Sequence, residues 1–408
     1  MNSYRKEQTA KRIDYTFFSM LTVGMFVVMF FLTYKQATLV GTGVYHSDIL
    51  AYMKEVLGEE SGYPFPYRLF FWLVRLVSLL MPVESAMALV VAGLNALSMV
   101  LVKYYFDLYE DVSFHEGRVL LRRLSLSALI LGIFVSSMLI NPLRMSLKGG
   151  EQYYLGVFTG NPWHNQTYLA TRPFAILAFF VFIFILKNYE YRANVKDYVV
   201  FSISLLLTTM TKPSFTFVFI SAAGIYMLVR LCMNSFETFK ETVLLGLAFV
   251  PTFIELIRQY FGVFAPTMPG EEKGITLTFF EVWSHECTNI PRAILYANLF
   301  SIVVLIIFIK EILDDIPYLF TVMLFFVSLF EAAFLAEKGY RFYDFNFSWG
   351  YMHGIFFLTL MSAEKLYRAA VREETEKYKI VIGFLSFIPQ VLSGIFYLIR
   401  ILGGAMYY

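Results

Sequence analysis

PYRLFFWLVRLVSLLMP, residues 66–82, is the stretch on which the fold turns. It is apolar enough to enter a bilayer. Arg68 and Arg75, however, stand seven residues apart and fall on one face of a helix. A helix with a charged edge and a Leu/Phe face lies in the interface plane rather than across it. If the stretch crossed, every later loop would change sides. If it lies flat, the basic residues collect on one side. They are Arg5, Lys6, Lys11 and Arg12, then Lys103, Arg118, Arg122 and Arg123, then Lys187, Arg192 and Lys196, and last Lys365, Arg368, Arg372, Lys377 and Lys379. The positive-inside rule therefore selects the interfacial reading, with a cytoplasmic N-terminus and an outer C-terminus.

The rest of the 408-residue chain agrees with a membrane setting. It is 58% hydrophobic with a mean hydropathy of +0.62, against about 45–50% apolar residues in soluble chains. Its apolar runs approach the roughly 20 residues that cross a bilayer. The expected fold is an all-α polytopic membrane protein, a single domain over 1–408. About eleven spans are expected, at 16–33, 84–103, 124–141, 171–187, 197–211, 214–231, 243–260, 292–309, 317–335, 350–363 and 380–402. Residues 34–83 form a first outer loop with interfacial helices. The run Phe17 to Leu32 is long for a signal peptide and no small-x-small site follows it, so it reads as a retained span. Net charge is +2, which points to no nucleic-acid partner. Cys232 and Cys287 show no CxxC spacing and no metal set.

On this topology the loops differ in kind. Inner loops such as KNYEYRANVKD are plain charged connectors. Outer loops hold YHSD (45–48), GYPFPYR (62–68), NPWHNQT (161–167), WSHECTN (283–289) and GYRFYDFNFSWGYMH (339–353). His46, His164, His285 and His353 fall outside, and only His115 falls inside.

The outer residues suggest a site. Asp48, Tyr52 and Glu55 share one face if 47–57 is helical. Asp48 is then either a helix N-terminal charge or a general base whose pKa burial raises, with His46 beside it in the same role. Asn165, Gln166 and His164 offer donors and acceptors next to the flat face of Trp163, the mixture that binds sugars. The plain alternative is an interfacial aromatic loop. We expect the 160–173 loop to fold inward and bring His164 near Asp48. Lys212, just before Pro213, either snorkels or meets a lipid phosphate, with Arg172, Lys338 and Arg341 at the same depth. Tyr63 and His353 complete the candidate binding set. Glu331 lies within a span, where carboxylates are costly and usually functional.

This layout resembles the GT-C superfamily of integral-membrane glycosyltransferases, whose donors are polyprenyl-phosphate-linked sugars. The shared features are an acidic residue just after span one, an interfacial helix, and outer loops carrying His, Trp and basic residues. The resemblance implies that Asp48 acts as base or substrate anchor and that basic residues such as Lys212, Lys338 and Arg341 hold the donor phosphate. It further implies a glycan or glycolipid acceptor of the cell envelope and an active site on the outer face. The chain lacks a DxD motif and a large soluble C-terminal domain, so no metal or other cofactor is assigned. Two other readings stay open. One is a Wzy-like polysaccharide polymerase using lipid-pyrophosphate-linked repeat units. The other is a lipid or sugar transporter or flippase, which would show midplane charges and two related halves.

Overall fold

The computed structural model describes residues 2–109, 119–140, 156–191, 194–264, 273–371 and 375–406. His115, Arg118, Arg192 and Arg372 lie outside the described residues. The helices are α1 (Asn2–Thr38), α2 (Ile49–Leu57), α3 (Leu69–Ser78), α4 (Val83–Tyr109), α5 (Val119–Val135), α6 (Gln166–Leu186), α7 (Val195–Thr211) and α8 (Ser214–Met233). Next come α9 (Phe239–Leu247), α10 (Val250–Phe264), α11 (Glu281–Glu286), α12 (Ile290–Ile307), α13 (Ile309–Ile312), α14 (Ile316–Phe334), α15 (Ser348–Val371) and α16 (Lys377–Leu402). One antiparallel pair joins β1 (Ile275–Leu277) to β2 (Leu335–Glu337), with Thr276 opposite Ala336.

Among the described residues, seven helices are long and apolar enough to cross a membrane: α1, α4, α6, α8, α12, α14 and α16. The chain is thus an all-α protein of polytopic membrane character. The four other expected spans take different forms. Helices α5 and α7 have 17 residues each. The 243–260 stretch is divided into α9 and α10, which meet at Ala248 and Phe249. Helix α15 has 24 residues but carries Glu364, Lys365 and Arg368. It is nearly all buried, packed among α5, α8, α12, α14 and α16, so protein rather than lipid surrounds it.

Helix α3 has ten residues, which rise about 15 Å, half of a hydrocarbon core about 30 Å thick. Phe70, Phe71 and Val74 are buried against the bundle while Trp72 and Leu76 are exposed. That is the one-sided burial expected of a helix lying on an apolar surface.

The loops gather at two opposite ends. At one, Tyr45 pairs with the chain after α16, its N–H on the Gly404 carbonyl and its hydroxyl on the Leu402 carbonyl. At the other, Asp14 of α1 accepts from Lys103 Nζ at 2.8 Å and from Ser127 Oγ at 2.6 Å, and Lys103 also reaches Asp107 at 3.0 Å. Arg123 closes this cluster at 3.9 Å from Asp14. Four charges of both signs, Asp14, Lys103 and Arg123 buried and Asp107 half-buried, tie α1, α4 and α5 together. Each is supplied with opposite charge, which is the condition for burying ions at all.

Candidate functional site

The site begins with residues 156–165, all of which are buried although they form no helix. Non-helical backbone survives at such depth only if its polar groups are satisfied within the protein, and here side chains do most of that. Asn161 donates from Nδ2 to the carbonyls of Ile133 and Ser136, the free end of α5. The Gly160 carbonyl accepts from Arg172 at 2.9 Å and from the Tyr168 hydroxyl at 3.2 Å. Gln36 donates to the Trp163 carbonyl and accepts from Gln166. Gly160 is pressed on α15, where a Cβ would lie 3.1 Å from the Phe356 Cα, so any larger residue would push the loop and α15 apart by a few tenths of an ångström. Below the loop, Ser136, Ser137, Asn161, Thr359 and Gln390 line a cavity with room for about one water.

The loop ends at Asn165, the N-cap of α6, whose Oδ1 accepts from the Tyr168 N–H at 2.9 Å. That side chain is also the hub of the site. Its Nδ2 donates to Asp48 Oδ2 at 2.5 Å and to the Tyr52 hydroxyl at 2.9 Å. Its Oδ1 accepts from Lys212 Nζ at 3.0 Å and from Thr167 Oγ1 at 3.0 Å. Lys212 caps the end of α7, where Pro213 starts the next helix. It donates to Thr167 as well, at 3.3 Å, and its ammonium lies 4.0 Å over the face of Trp349. Asp48 occupies the position just before α2. Three chain turns far apart in sequence thus deliver one carboxylate, one amine and one amide to a single point.

Burial dominates the electrostatics. It pushes the Asp48 carboxyl up, opposed by the Lys212 charge and by the hydrogen bonds from Asn165 and Tyr52. The Lys212 ammonium falls to about 7, burial again leading and Asp48 opposing. Burial thus raises one group and lowers the other, so their proton affinities move toward each other, the direction that favours a site able to give and take protons. Burial and Lys212 push His164 down to about 3. Burial raises the Tyr52 and Tyr67 hydroxyls, so both remain donors.

The expected residues divide. Asp48, Asn165 and Lys212 meet directly. The loop folds inward, but the residue that reaches Asp48 is Asn165. His164 lies beside Trp349, ring centroids 5.7 Å apart. Trp163 is fully buried and offers no face to a ligand. Arg172 sits about two turns further along α6, fully buried among Phe134, Tyr168 and Phe356, with its guanidinium also reaching Asn95. It holds the loop through the Gly160 carbonyl. His353 is fully buried and stacked 4.1 Å from Tyr168. Arg341 pairs with Glu337 at 3.1 Å and Asp344 at 3.2 Å. Lys338, His46 and Tyr63 are exposed. Glu331 accepts from Ser221 Oγ at 3.0 Å, a hydroxyl rather than a base.

Three participants were not singled out from sequence: Trp349, Tyr67 and Asp344. Tyr67 belongs to a ring cluster with Phe65, Phe71 and Tyr52. Asp344 is near enough to Asp48 for its charge to raise the Asp48 carboxyl further. All three stand in the two aromatic-rich segments GYPFPYR and GYRFYDFNFSWGYMH, and that density was the available signal. Among the described residues, no three His, Cys, Asp or Glu side chains come together as a metal-binding group. No protein-family model and no curated protein matches the chain.

Proposed function

We propose that the chain is a membrane glycosyltransferase of GT-C-like layout, moving a sugar from a polyprenyl-phosphate donor to a cell-envelope glycan or lipid-linked acceptor at the outer face. The observation that carries this reading is the joining of Asp48 to Lys212 through Asn165, beside the ring of Trp349. Asp48 takes the proton of the acceptor hydroxyl. The acceptor oxygen forms the new bond to the sugar's anomeric carbon as the bond from that carbon to the phosphate oxygen breaks. Its electron pair leaves on the polyprenyl phosphate. Lys212 meets the charge that grows there, giving up one of its contacts to Asn165 or Thr167. The Trp349 ring and the polar side chains around it suit a ligand with apolar C–H faces and many hydroxyls.

The test is turnover by the purified chain in lipid, offered a synthetic polyprenyl-phosphate sugar or a lipid-pyrophosphate-linked repeat unit. Transfer from the first donor that disappears in folded Asp48→Asn supports the proposal. Transfer from the second donor alone makes it a polymerase. Movement of intact lipid across vesicles with no bond broken makes it a flippase.

A further inference from the structure

The outward stripe of α8 runs through Phe217, Ser221, Gly224, Ile225 and Leu228, all exposed at helical spacing. Two of its members are small. An added Cβ on Gly224 would meet no atom within 4 Å. A shallow notch therefore opens in an otherwise bulky apolar face, beside Phe326 and Phe330, which are exposed on α14. Small residues at such a place let a second helix approach closely.

The notch is not purely apolar. Glu331 of α14 is 9% exposed, and its Oε1 takes the Ser221 hydroxyl at 3.0 Å. Ser221 is itself on the outward stripe, so the carboxylate is turned toward the notch. Among the described residues Glu331 has no basic partner and no other hydrogen-bond donor. Ser221 lies seven residues, about 10 Å, below the start of α8, which is deep for a lipid headgroup. Both α8 and α14 are long and apolar enough to span. A carboxylate in hydrocarbon without a cation is expensive, and one hydroxyl does not meet that cost.

We infer that the Ser221–Gly224–Glu331 notch is a docking site for the transmembrane helix of a partner protein that presents a lysine or arginine at that depth. The charge complementarity selects the occupant. The small residues give its backbone room, and Glu331 supplies the counter-ion. Among the described residues the exposed basic side chains stand in loops, near helix ends or, as Arg258, on the short helix α10 where it is paired with Glu255, so a second copy is the less favoured occupant.

The probe is a synthetic Leu-rich transmembrane helix with one central lysine, compared with the same helix bearing glutamate or only leucine. The full chain, with Cys232→Ser and a fluorophore on Leu228→Cys, is reconstituted in phosphatidylcholine bilayers and energy transfer to the labelled helix is read. The lysine helix should associate more tightly than the other two. Glu331→Gln should weaken it roughly three- to tenfold, the range for polar contacts between membrane helices. Gly224→Leu should block it while Glu331 is intact. Equal association of all three helices, or no change in Glu331→Gln, overturns the inference. Glu331-dependent transfer between two labelled copies without added helix overturns the choice of occupant, as does displacement of the lysine helix by phosphatidylethanolamine. Size-exclusion profiles like the parent's show that the variants fold.

Discussion

Asn165 stands between Asp48 and Lys212, its Nδ2 on the carboxylate at 2.5 Å and its Oδ1 under the ammonium at 3.0 Å. An amide can do this because it donates from one side and accepts on the other. A histidine at the same point would offer one donor and one acceptor at fixed angles and could not also cap α6. The amide spends its whole capacity here, on Asp48, Tyr52, Thr167, Tyr168 and Lys212. The expected outcome for Asn165→Leu is therefore a loss of stability as well as of activity. The N-cap contributes about 1 kcal/mol, and groups left unsatisfied add about 1–3 kcal/mol each. A clear fall in melting temperature in detergent is expected. An unchanged value would show that the hub carries no structural weight.

Lys212 should give stability a slope with pH. Its folded pKa is about 7, below the ordinary 10.5. Between those values the unfolded chain holds a proton that the folded chain has released, so stability rises with pH. The contribution is lost as pH falls through about 7. His164, held down to about 3, acts only below its ordinary 6.5 and stays out of this window. The raised tyrosines act from about pH 10 upward. Melting temperature read from pH 7 to 9 should climb in the parent and run flatter in Lys212→Met. Parallel curves would refute the assignment.

At the opposite end, Asp14→Asn should cost about 3 kcal/mol, because it leaves Lys103 and Arg123 buried with Asp107 as their remaining carboxylate. Adding Lys103→Met to the variant should restore part of the loss, since the stranded charge goes with it. Thermal unfolding of the two variants decides this. No recovery in the double variant would mean that the cluster acts by shape rather than charge.

Helix positions were legible because hydrocarbon demands long apolar runs, and α1, α4, α6, α8, α12, α14 and α16 all carry them. Helix α15 shows the limit. Its surroundings are other helices, so lipid does not dictate its hydropathy and only the packed structure reveals how central it is. The site was legible in part for a similar reason. Asp48, Asn165 and Lys212 interrupt apolar sequence, and interruptions stand out. Which of His164 and Asn165 faces Asp48 depends on one residue of register at the start of α6, and composition holds no trace of that. Trp349 and Tyr67 were hidden by their own neighbours, aromatic residues among other aromatic residues. Asp14 and Lys103 lie in stretches read as an ordinary span and its basic flank, and their pairing is a fact of helix packing alone.

Gly394 marks the tightest crossing of α16 with the end of α5. A Cβ built there would lie 1.7 Å from the Val135 carbonyl oxygen and 2.9 Å from the Ser136 carbonyl carbon. Both are backbone atoms, so no rotamer change relieves the clash and the helices must part. Asn161 bonds the Ile133 and Ser136 carbonyls of the same segment, so the displacement would pass into the inward-folded loop. Gly394→Ala should therefore destabilise, because overpacking costs roughly 1–3 kcal/mol against the roughly 1 kcal/mol that alanine usually returns on a helix. Gly24→Ala, with nothing within 4 Å, is the control and should be neutral or stabilising. Equal melting temperatures for the two variants would contradict the close crossing.

Asp48 and His164 should separate in kinetics. If Asp48 removes the acceptor's proton, Asp48→Asn keeps the shape and most hydrogen bonds yet loses the base, and turnover should fall at least about a hundredfold. His164 has a different standing. With its imidazole pushed down to about 3, it carries no extra proton at neutral pH and has little affinity for one. Its place beside Trp349 makes it a wall of the site. His164→Gln should therefore change KM more than kcat and leave the pH–rate profile where it was. The limb near pH 7 should instead belong to Lys212, and Lys212→Arg should remove it, because guanidinium does not titrate there. The measurement is kcat and KM for polyprenyl-phosphate-sugar turnover between pH 5 and 9, with melting temperatures alongside to exclude misfolding. A hundredfold fall in His164→Gln with wild-type turnover in Asp48→Asn would exchange the two roles. A limb near pH 7 that survives Lys212→Arg would take the amine out of the proton chemistry and leave it as a counter-charge alone.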